Sequence, residues 1–391
     1  MKKLVAAGFL LAGILGANAQ TIRAVAAGSV TTSTTGGNSS VNIGPNSGNT
    51  NAGNTGGSNV FVGASSGALN TTGAANSFIG ANAGAANTTG YDNVFVGGNC
   101  GNLNTTGIRN NFTGVNAGFN NTASYNNFYG YMAGFNNTTG TANSFFGSQA
   151  GSANTTGSQN IFIGTVSGGA TTTGGDNTFV GWAAGPANTV GTYNAFFGRS
   201  AGTGNTTGTY NTIIGAMAGQ NNATGSSNVF LGFGAGSQET GSSKLYISNS
   251  NTTSPLIWGD FANTQLKLNA KVGIGAVTSF PTNTLYNNYR LFVTGGILTD
   301  EVRVVANNGS GSWADYVFAS DYNLKPLSEV EAFIAKNKHL PNVPSAAQVK
   351  EDGIALGDMA RIQQEKIEEL TLYIIAQNKR IEALEAKMNN K

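Results

Sequence analysis

Between residues 59 and 244 the apolar residues arrive in short bursts at a fixed interval. Aligned on Asn-x-Phe-x-Gly, the asparagines are Asn59, Asn76, Asn93, Asn110, Asn126, Asn143, Asn160, Asn177, Asn194, Asn211 and Asn228. Successive differences are seventeen, except for sixteen between Asn110 and Asn126. The full unit reads Asn-x-Phe-h-Gly-x-x-Ala-Gly-x-x-Asn-Thr-Thr-Gly-x-x, with h usually apolar; its residues are numbered one to seventeen below. Such a period is the mark of a repeat architecture. Phe, Val, Ile and Thr near the start of each unit favour a short extended segment, and the glycines that follow predict tight turns. No unit has room for a helix. Each is therefore expected to form one rung of a solenoid, with one strand or two.

Rungs stacked about 4.8 Å apart place equivalent residues above one another. The position-one asparagines are then expected to form a ladder of side-chain amides. The position-three Phe residues would stack as the core, and the Ala at position eight would be small because the opposite wall is close. Cys100 takes that Ala slot, in line with Ala83 and Ala117, and reads as a small buried filler. Neighbouring strand residues face opposite sides. Position four, apolar or aromatic in every unit except that of Thr113, therefore points outward as a continuous stripe. Another copy of the chain is its natural cover.

Downstream the pattern changes. Lys244-Leu245-Tyr246-Ile247, Leu256-Ile257-Trp258, Val272-Gly273-Ile274 and Arg290-Leu291-Phe292-Val293 are strand-like runs separated by Gly, Asn and Pro, and predict a β-rich neck over 245–318. Ser328 with Glu331 predicts a capping box and a helix to about Lys336. Leu340-Pro341-Asn342-Val343-Pro344 reads as extended. Ser345 with Gln348 predicts a second capping box, Gly353 a stop, and a long helix follows from about Asp358. That helix carries heptads: Ala360, Ile367, Ile374, Ile381 and Met388 at a, with Gln363, Leu370, Gln377 and Leu384 at d. Arg380 and Glu385 are placed to pair between parallel chains. Leu372 and Ile375 fall outside the seam.

At the other end, Lys2 and Lys3, an apolar stretch Leu4 to Leu15, and Ala17-Asn18-Ala19 read as a secretory signal that leaves a mature chain starting at Gln20. The stretch is too short for a permanent span. The expected fold class is mainly β. A signal peptide (1–19) and a Gly/Ser/Thr/Asn-rich lead-in (20–58) precede the β-solenoid or β-roll stalk of 17-residue units (59–244). The neck (245–318), a small helical segment (319–357) and a coiled coil (358–391) follow.

Charge sharpens this division. Between Ala24 and Gln238 only Asp92, Arg109, Asp176 and Arg199 are charged, whereas twenty-four charged residues lie between Glu301 and Lys391. A formal net charge of +2 with no basic patch makes nucleic acid a poor partner. The one cysteine excludes a disulfide framework within the chain.

The repeats, over roughly residues 40–244, resemble the head domains of trimeric autotransporter adhesins, which are β-rolls with short Asn- and Gly-rich repeats packed as three chains on a shared axis. The unit is longer than that family's usual one, and the residues after it do not read as a β-barrel. Residues 300–391 resemble the C-terminal domains of bacterial tail-fibre-like surface proteins, on Tyr322-Asn323-Leu324-Lys325-Pro326-Leu327-Ser328-Glu329-Val330-Glu331, His339-Leu340-Pro341, and Lys366-Ile367-Glu368-Glu369-Leu370-Thr371-Leu372-Tyr373. That resemblance implies a trimerising, chaperone-like tail. Ile at a with Leu at d leans towards dimers; glutamine at two d positions weakens that rule, and the resemblance favours a trimer.

Catalytic candidates are few. Ser320, Asp321, Leu324 and Lys325 resemble the Ser-Asp-x-x-x-Lys pattern of self-cleaving tail-spike chaperones, with Asn323 in place of the usual arginine. The resemblance implies that a neutral Lys325 would take the proton of Ser320, which would attack the Ala319 carbonyl and cut Ala319–Ser320. The competing reading is a turn leading into the Ser328 helix. A hydrolytic carboxylate pair needs about 5–10 Å, whereas Asp92 and Asp176 close units five rungs apart, about 24 Å. His339 reads as structural, and neither a metal-ligand cluster nor a cofactor motif appears. The Thr pairs, such as Thr71-Thr72 and Thr88-Thr89, are interrupted by Thr122-Ala123, Thr189-Val190 and Ala223-Thr224, which argues against an ice-binding array. The expectation is an exported, non-enzymatic structural or adhesive fibre, on the cell surface or secreted, whose partners are copies of itself and a surface glycan or protein ligand. The alternative is a fibre that cleaves itself at Ser320.

Overall fold

A computed structural model describes residues 30–33, 40–48, 55–280, 286–304 and 313–389. The secretory signal expected at 1–19 lies outside these residues. Two compact units divide the chain, one ending at Thr294 and one starting at Gly295.

The first unit is a β-solenoid. Its main sheet has sixteen strands in chain order. β1 (Val30–Ser33) pairs antiparallel with β2 (Ser40–Ile43). From β2 to β14 (Lys244–Ile247) every neighbour is parallel and in register. Phe179 opposes Phe162 on one side and Phe196 on the other, so residues one repeat apart are stacked neighbours. β15 (Ile257–Asp260) and β16 (Gln265–Leu268) close the sheet as antiparallel strands. Each repeat contributes a single strand of three residues, for example Ser77–Ile79. The turns bond between rungs as regularly as the strands: Gly84 N–H donates to the Cys100 carbonyl (2.9 Å) and Thr88 N–H to that of Thr105 (2.9 Å). The main chain is thus satisfied rung to rung.

The core is a file of aromatic rings. Phe61 through Phe196 stack with centroids 4.6–5.1 Å apart, close to the strand spacing. All are buried, as are Ile213 and Phe230, which continue the file. The Ala slot packs beside it at zero exposure, and Cys100 lies there as expected. Where Ser or Cys replaces Ala, the side chain donates to a Phe carbonyl: Ser66 Oγ to Phe78 (3.0 Å), Ser167 Oγ to Phe179 (3.1 Å) and Cys100 Sγ to Phe112 (3.3 Å).

The asparagine file forms, but not mainly as an amide-to-amide ladder. Each position-one Oδ1 accepts the main-chain N–H of the next asparagine, as in Asn160 N–H to Asn143 Oδ1 (3.0 Å). Each Nδ2 crosses its own rung to the turn carbonyl, a glycine as in Asn143 to Gly157 (2.8 Å) except in the short unit, where Asn110 reaches Ala123 (2.8 Å). Direct amide pairs join only some rungs, such as Asn93 to Asn76 (3.1 Å). The reason is competition: main-chain groups at the turn need partners, and the asparagine side chain reaches them. A second asparagine file at position twelve is also buried, including Asn87, Asn104 and Asn154, and donates to the same glycine carbonyls.

Two glycines per rung are fixed by geometry. At position five φ is near +137°, and a Cβ on Gly80 would stand 2.4 Å from the Gly97 carbonyl oxygen of the next rung. At position nine a Cβ on Gly84 would stand 2.4 Å from the Phe78 ring. Both sites exclude a side chain.

The solenoid sheet reaches beyond the recognisable repeats. Asn42 opposes Phe61 and Tyr246 opposes Phe230, each at the Phe position. Tyr246 ends the file edge-on to Phe230, its hydroxyl donating to Glu239 (2.9 Å). A second, parallel pair, β17 (Val272–Ile274) and β18 (Leu291–Val293), stands apart from the main sheet.

The second unit is helical. A short 3-10 helix (Ala314–Phe318) precedes α1 (Leu327–Asn337), α2 (Ala346–Asp352) and α3 (Leu356–Asn389). The capping box expected at Ser328 and Glu331 does not form. α1 starts two residues earlier, with Pro326 as its N-cap and no side-chain cap, so Ser328 is already inside the first turn. Proline's fixed φ suits that position. The Ser345–Gln348 box does form, and Gly353 ends α2 with φ +74°.

Candidate functional site

Three surfaces gather the chemistry of this chain, and the first is the outward side of the solenoid strands. With Phe inward at position three, positions two and four must face out. Phe146 is 39%, Ile163 41% and Ile214 41% exposed, next to fully buried position-three rings. Tyr129 stacks on Phe146 at 4.8 Å along the same file. Val60, Val94 and Ile161 at position two widen the stripe. An apolar band that follows the rungs so regularly exceeds the scattered exposed residues common on soluble surfaces.

The second surface is α3. Its a and d positions lie open: Ile367, Leu370, Ile374, Ile381, Leu384 and Met388 are all exposed, Ile374 by 65%. Over residues 361–373 its opposite face is covered and polar, with Glu365 and Glu368 each only 4% exposed, whereas from Ile374 to Asn389 the helix is exposed on every side. A network holds that covered face. Tyr316 of the 3-10 helix donates to Glu365, and Arg361 Nη1 donates to the Tyr316 hydroxyl (3.2 Å). Lys366 bridges Glu365 (2.7 Å) and Glu369 (2.8 Å), while Asn342 Nδ2 reaches Glu365 (3.2 Å). The Tyr322 hydroxyl donates to Glu369, and that of Tyr373 to the Lys325 carbonyl.

Burial pushes the Glu365 carboxyl up, but hydrogen bonds from Lys366, Tyr316 and Asn342 outweigh it and hold the group below the usual carboxylate range. Burial, reinforced by the Glu369 carboxylate, raises the Tyr322 phenol. The helix thus buries charge and exposes Ile and Leu, the reverse of a helix that ends its packing within one chain. Arg380 and Glu385 form no ion pair among the described residues. Beside the network, a cavity of about 380 Å³ is lined by Leu327, Val330 and Ile334 of α1 and by Leu370 and Tyr373 of α3.

The third surface holds the Ser-Lys candidate. Ser320 is exposed in a turn closed by Tyr322 N–H donating to the Ala319 carbonyl (3.0 Å). Lys325 is exposed in the extended segment before α1 and lines the cavity. No hydrogen bond joins Ser320, Asp321 and Lys325 among the described residues.

The other sequence candidates lie apart. Asp92 pairs with Arg109 (3.5 Å), and Asp176 is exposed five repeats beyond Asp92. Burial pushes the Cys100 thiol up to about 12. His339 lies edge-on to Phe333 at 5.5 Å, with Nδ1 3.0 Å from the Leu340 carbonyl. No group of His, Cys, Asp and Glu suited to a metal occurs among the described residues. The first threonine of each pair spends its hydroxyl on the next rung, as in Thr88 Oγ1 to the Thr105 carbonyl (3.0 Å).

The consensus carries an asparagine at position twelve, in nine of the eleven units, but sequence reasoning gave it no structural role. It missed the Glu365 network because its partners lie up to 49 residues away. No helix among the described residues is long and apolar enough to cross a membrane. A scan against protein-family models finds no match, and searches of curated proteins and of solved structures find none either.

Proposed function

We propose that this chain is an exported structural and adhesive fibre protein that assembles as a homotrimer and carries out no catalysis. The observation that carries the reading is the burial of α3: over residues 361–373 its charged face is packed within the chain while Ile367 and Leu370 lie open, and from Ile374 on the Ile/Leu seam stands exposed with the rest of the helix. The solenoid repeats the theme with an apolar stripe along its strands. Two separate apolar surfaces on one chain, each periodic, are best supplied with partners by copies of the same chain. Heptads with Ile at a and Leu at d suit a parallel assembly, and Gln363 and Gln377 at d weaken the dimer preference of that pattern. The likeness of the repeats to trimeric adhesin heads and of the tail to tail-fibre domains supports the same state. The signal-like residues 1–19 support export to the cell surface or beyond it.

Sedimentation of the chain from Gln20 tests this. The reading expects a particle of three chain masses that falls to one mass when Ile374 and Ile381 are both changed to Lys. A wild-type chain that sediments as a compact single copy would overturn it.

A further inference from the structure

One edge of the solenoid gathers three of the four charges and three of the six tyrosines found between Ala24 and Gln238. Position seventeen, two residues before each strand, lies in the left-handed region: φ is 57° at Asp92, 55° at Arg109, 63° at Tyr125, 57° at Asp176, 57° at Tyr193 and 58° at Tyr210. Glycine, asparagine and aspartate tolerate that conformation best, and bulky side chains are disfavoured there. The other left-handed position of the unit, position seven, follows the rule in part, with Asn82, Asn99 and Asn116. Position seventeen, from Ser58 to Ser243, holds no glycine and no asparagine. It holds instead three tyrosines and three of the four charges found between Ala24 and Gln238. Four of these six, Arg109, Tyr125, Tyr193 and Tyr210, are kept on the edge without help from their backbone preference, which points to use rather than stability.

The groups form two clusters. In the first, the Arg109 guanidinium lies between Tyr91 (6.0 Å) and Tyr125 (5.8 Å), pairs with Asp92 at 3.5 Å and donates to the Tyr125 hydroxyl at 3.3 Å. In the second, Tyr193 and Tyr210 stack at 5.0 Å and 3°, and are 52% and 60% exposed. Their neighbours on the same edge are Asp176 below and Ser227 above, so no further ring covers the outer face of either tyrosine.

We propose that this edge binds carbohydrate, the ligand class that completes the adhesive reading on which the inference rests. A pyranose lays its C–H face on an aromatic ring, whose face is electron-rich. Its hydroxyls both donate and accept. The carboxylates of Asp92 and Asp176 accept from them, and Arg109 donates to them. Acidic groups beside the tyrosines disfavour a phosphate backbone, and Ala142 and Gln159 separate the two clusters, so the edge offers discrete subsites rather than one broad apolar face.

The probe is a printed panel of short neutral, amino-sugar and uronic-acid oligosaccharides, followed by calorimetry with the best-retained one, using the assembled chain from Gln20. Tyr193→Ala with Tyr210→Ala, and separately Asp176→Asn, are expected to weaken binding roughly tenfold each without altering melting or sedimented mass. Met132→Asn and Met217→Asn on the other left-handed edge leave binding unchanged. An assembled wild type that retains no oligosaccharide at millimolar concentration, or variants that bind as wild type does, would overturn the proposal. A fall in sedimented mass in the tyrosine variants would also overturn it, by giving the edge to a second copy. A single-copy wild type that still binds sugar would sink the trimer and leave this edge standing.

Discussion

Asn143 offers a direct test of what holds one rung to the next. Its Oδ1 accepts the buried N–H of Asn160 (3.0 Å), and its Nδ2 donates to the Gly157 carbonyl (2.8 Å). Asn143→Ala removes both bonds and leaves the Asn160 N–H without a partner, at about 1–3 kcal/mol. The Gly157 carbonyl keeps Asn154 Nδ2 at 2.9 Å, so its loss is the ordinary net value of a bond, about 0.5–1.5 kcal/mol. The total expected is about 1.5–4.5 kcal/mol. Asn143→Asp separates the two halves: it keeps the acceptor for Asn160 but sets a buried carboxylate against the Gly157 carbonyl. Its folded pKa is then raised, so its penalty grows as pH rises above the unfolded aspartate value near 3.9 and fades in acid.

The measurement is hydrogen exchange followed by mass spectrometry on the peptide spanning Asn160, with denaturant melts beside it, since a repeat array need not unfold in one step. Asn143→Ala should open the rungs on either side of it to exchange. Thr139→Ala, on the exposed turn, should stay within about 0.5 kcal/mol of wild type. Unchanged exchange at Asn160 in the alanine variant, or an aspartate variant as stable at pH 7 as wild type, would refute the reasoning.

Other consequences are quicker to check. Val166 is β-branched and sits at φ 59°, so Val166→Asn should stabilise the stalk by about 1 kcal/mol in denaturant melts. The depressed Glu365 carboxyl contributes stability above the unfolded glutamate value near pH 4.3 that is lost as pH falls through its native value; the near-ultraviolet tyrosine signal should fade on acidification, and less so in Glu365→Gln. Cys100, buried with its thiol raised, should react with a thiol reagent at pH 8 only after unfolding.

The stalk was legible because one physical rule, stacking at a fixed period, writes itself into each unit. Phe at position three, Ala at position eight and the turn glycines each answer to a contact one rung away, so repetition in the sequence is repetition in space. The outward stripe followed from strand alternation alone. Legibility weakened at the ends of the repeat: Asn42 and Tyr246 occupy Phe positions without being Phe, and around Asn42 the period survives only away from the core position, in Gly44, Ser47 and Gly48. At Ser328 a local motif misled, because Pro326 fixes the helix start before the serine can cap it. The heptad seam could be read from spacing, whereas the charged face opposite it depends on Tyr316 and Asn342, distant in the chain and silent in pattern. Position seventeen escaped notice because its meaning lies in a backbone angle.

The central claim is that sister copies cover the outward stripe. Its most direct test places cysteine at position four, Ile163→Cys, in a Cys100→Ala background, which restores the usual small residue of that slot. A short bismaleimide should join chains through residue 163 in the assembled protein and spare a control cysteine at the exposed Thr156. Linkage through 156 with none through 163 would contradict the account.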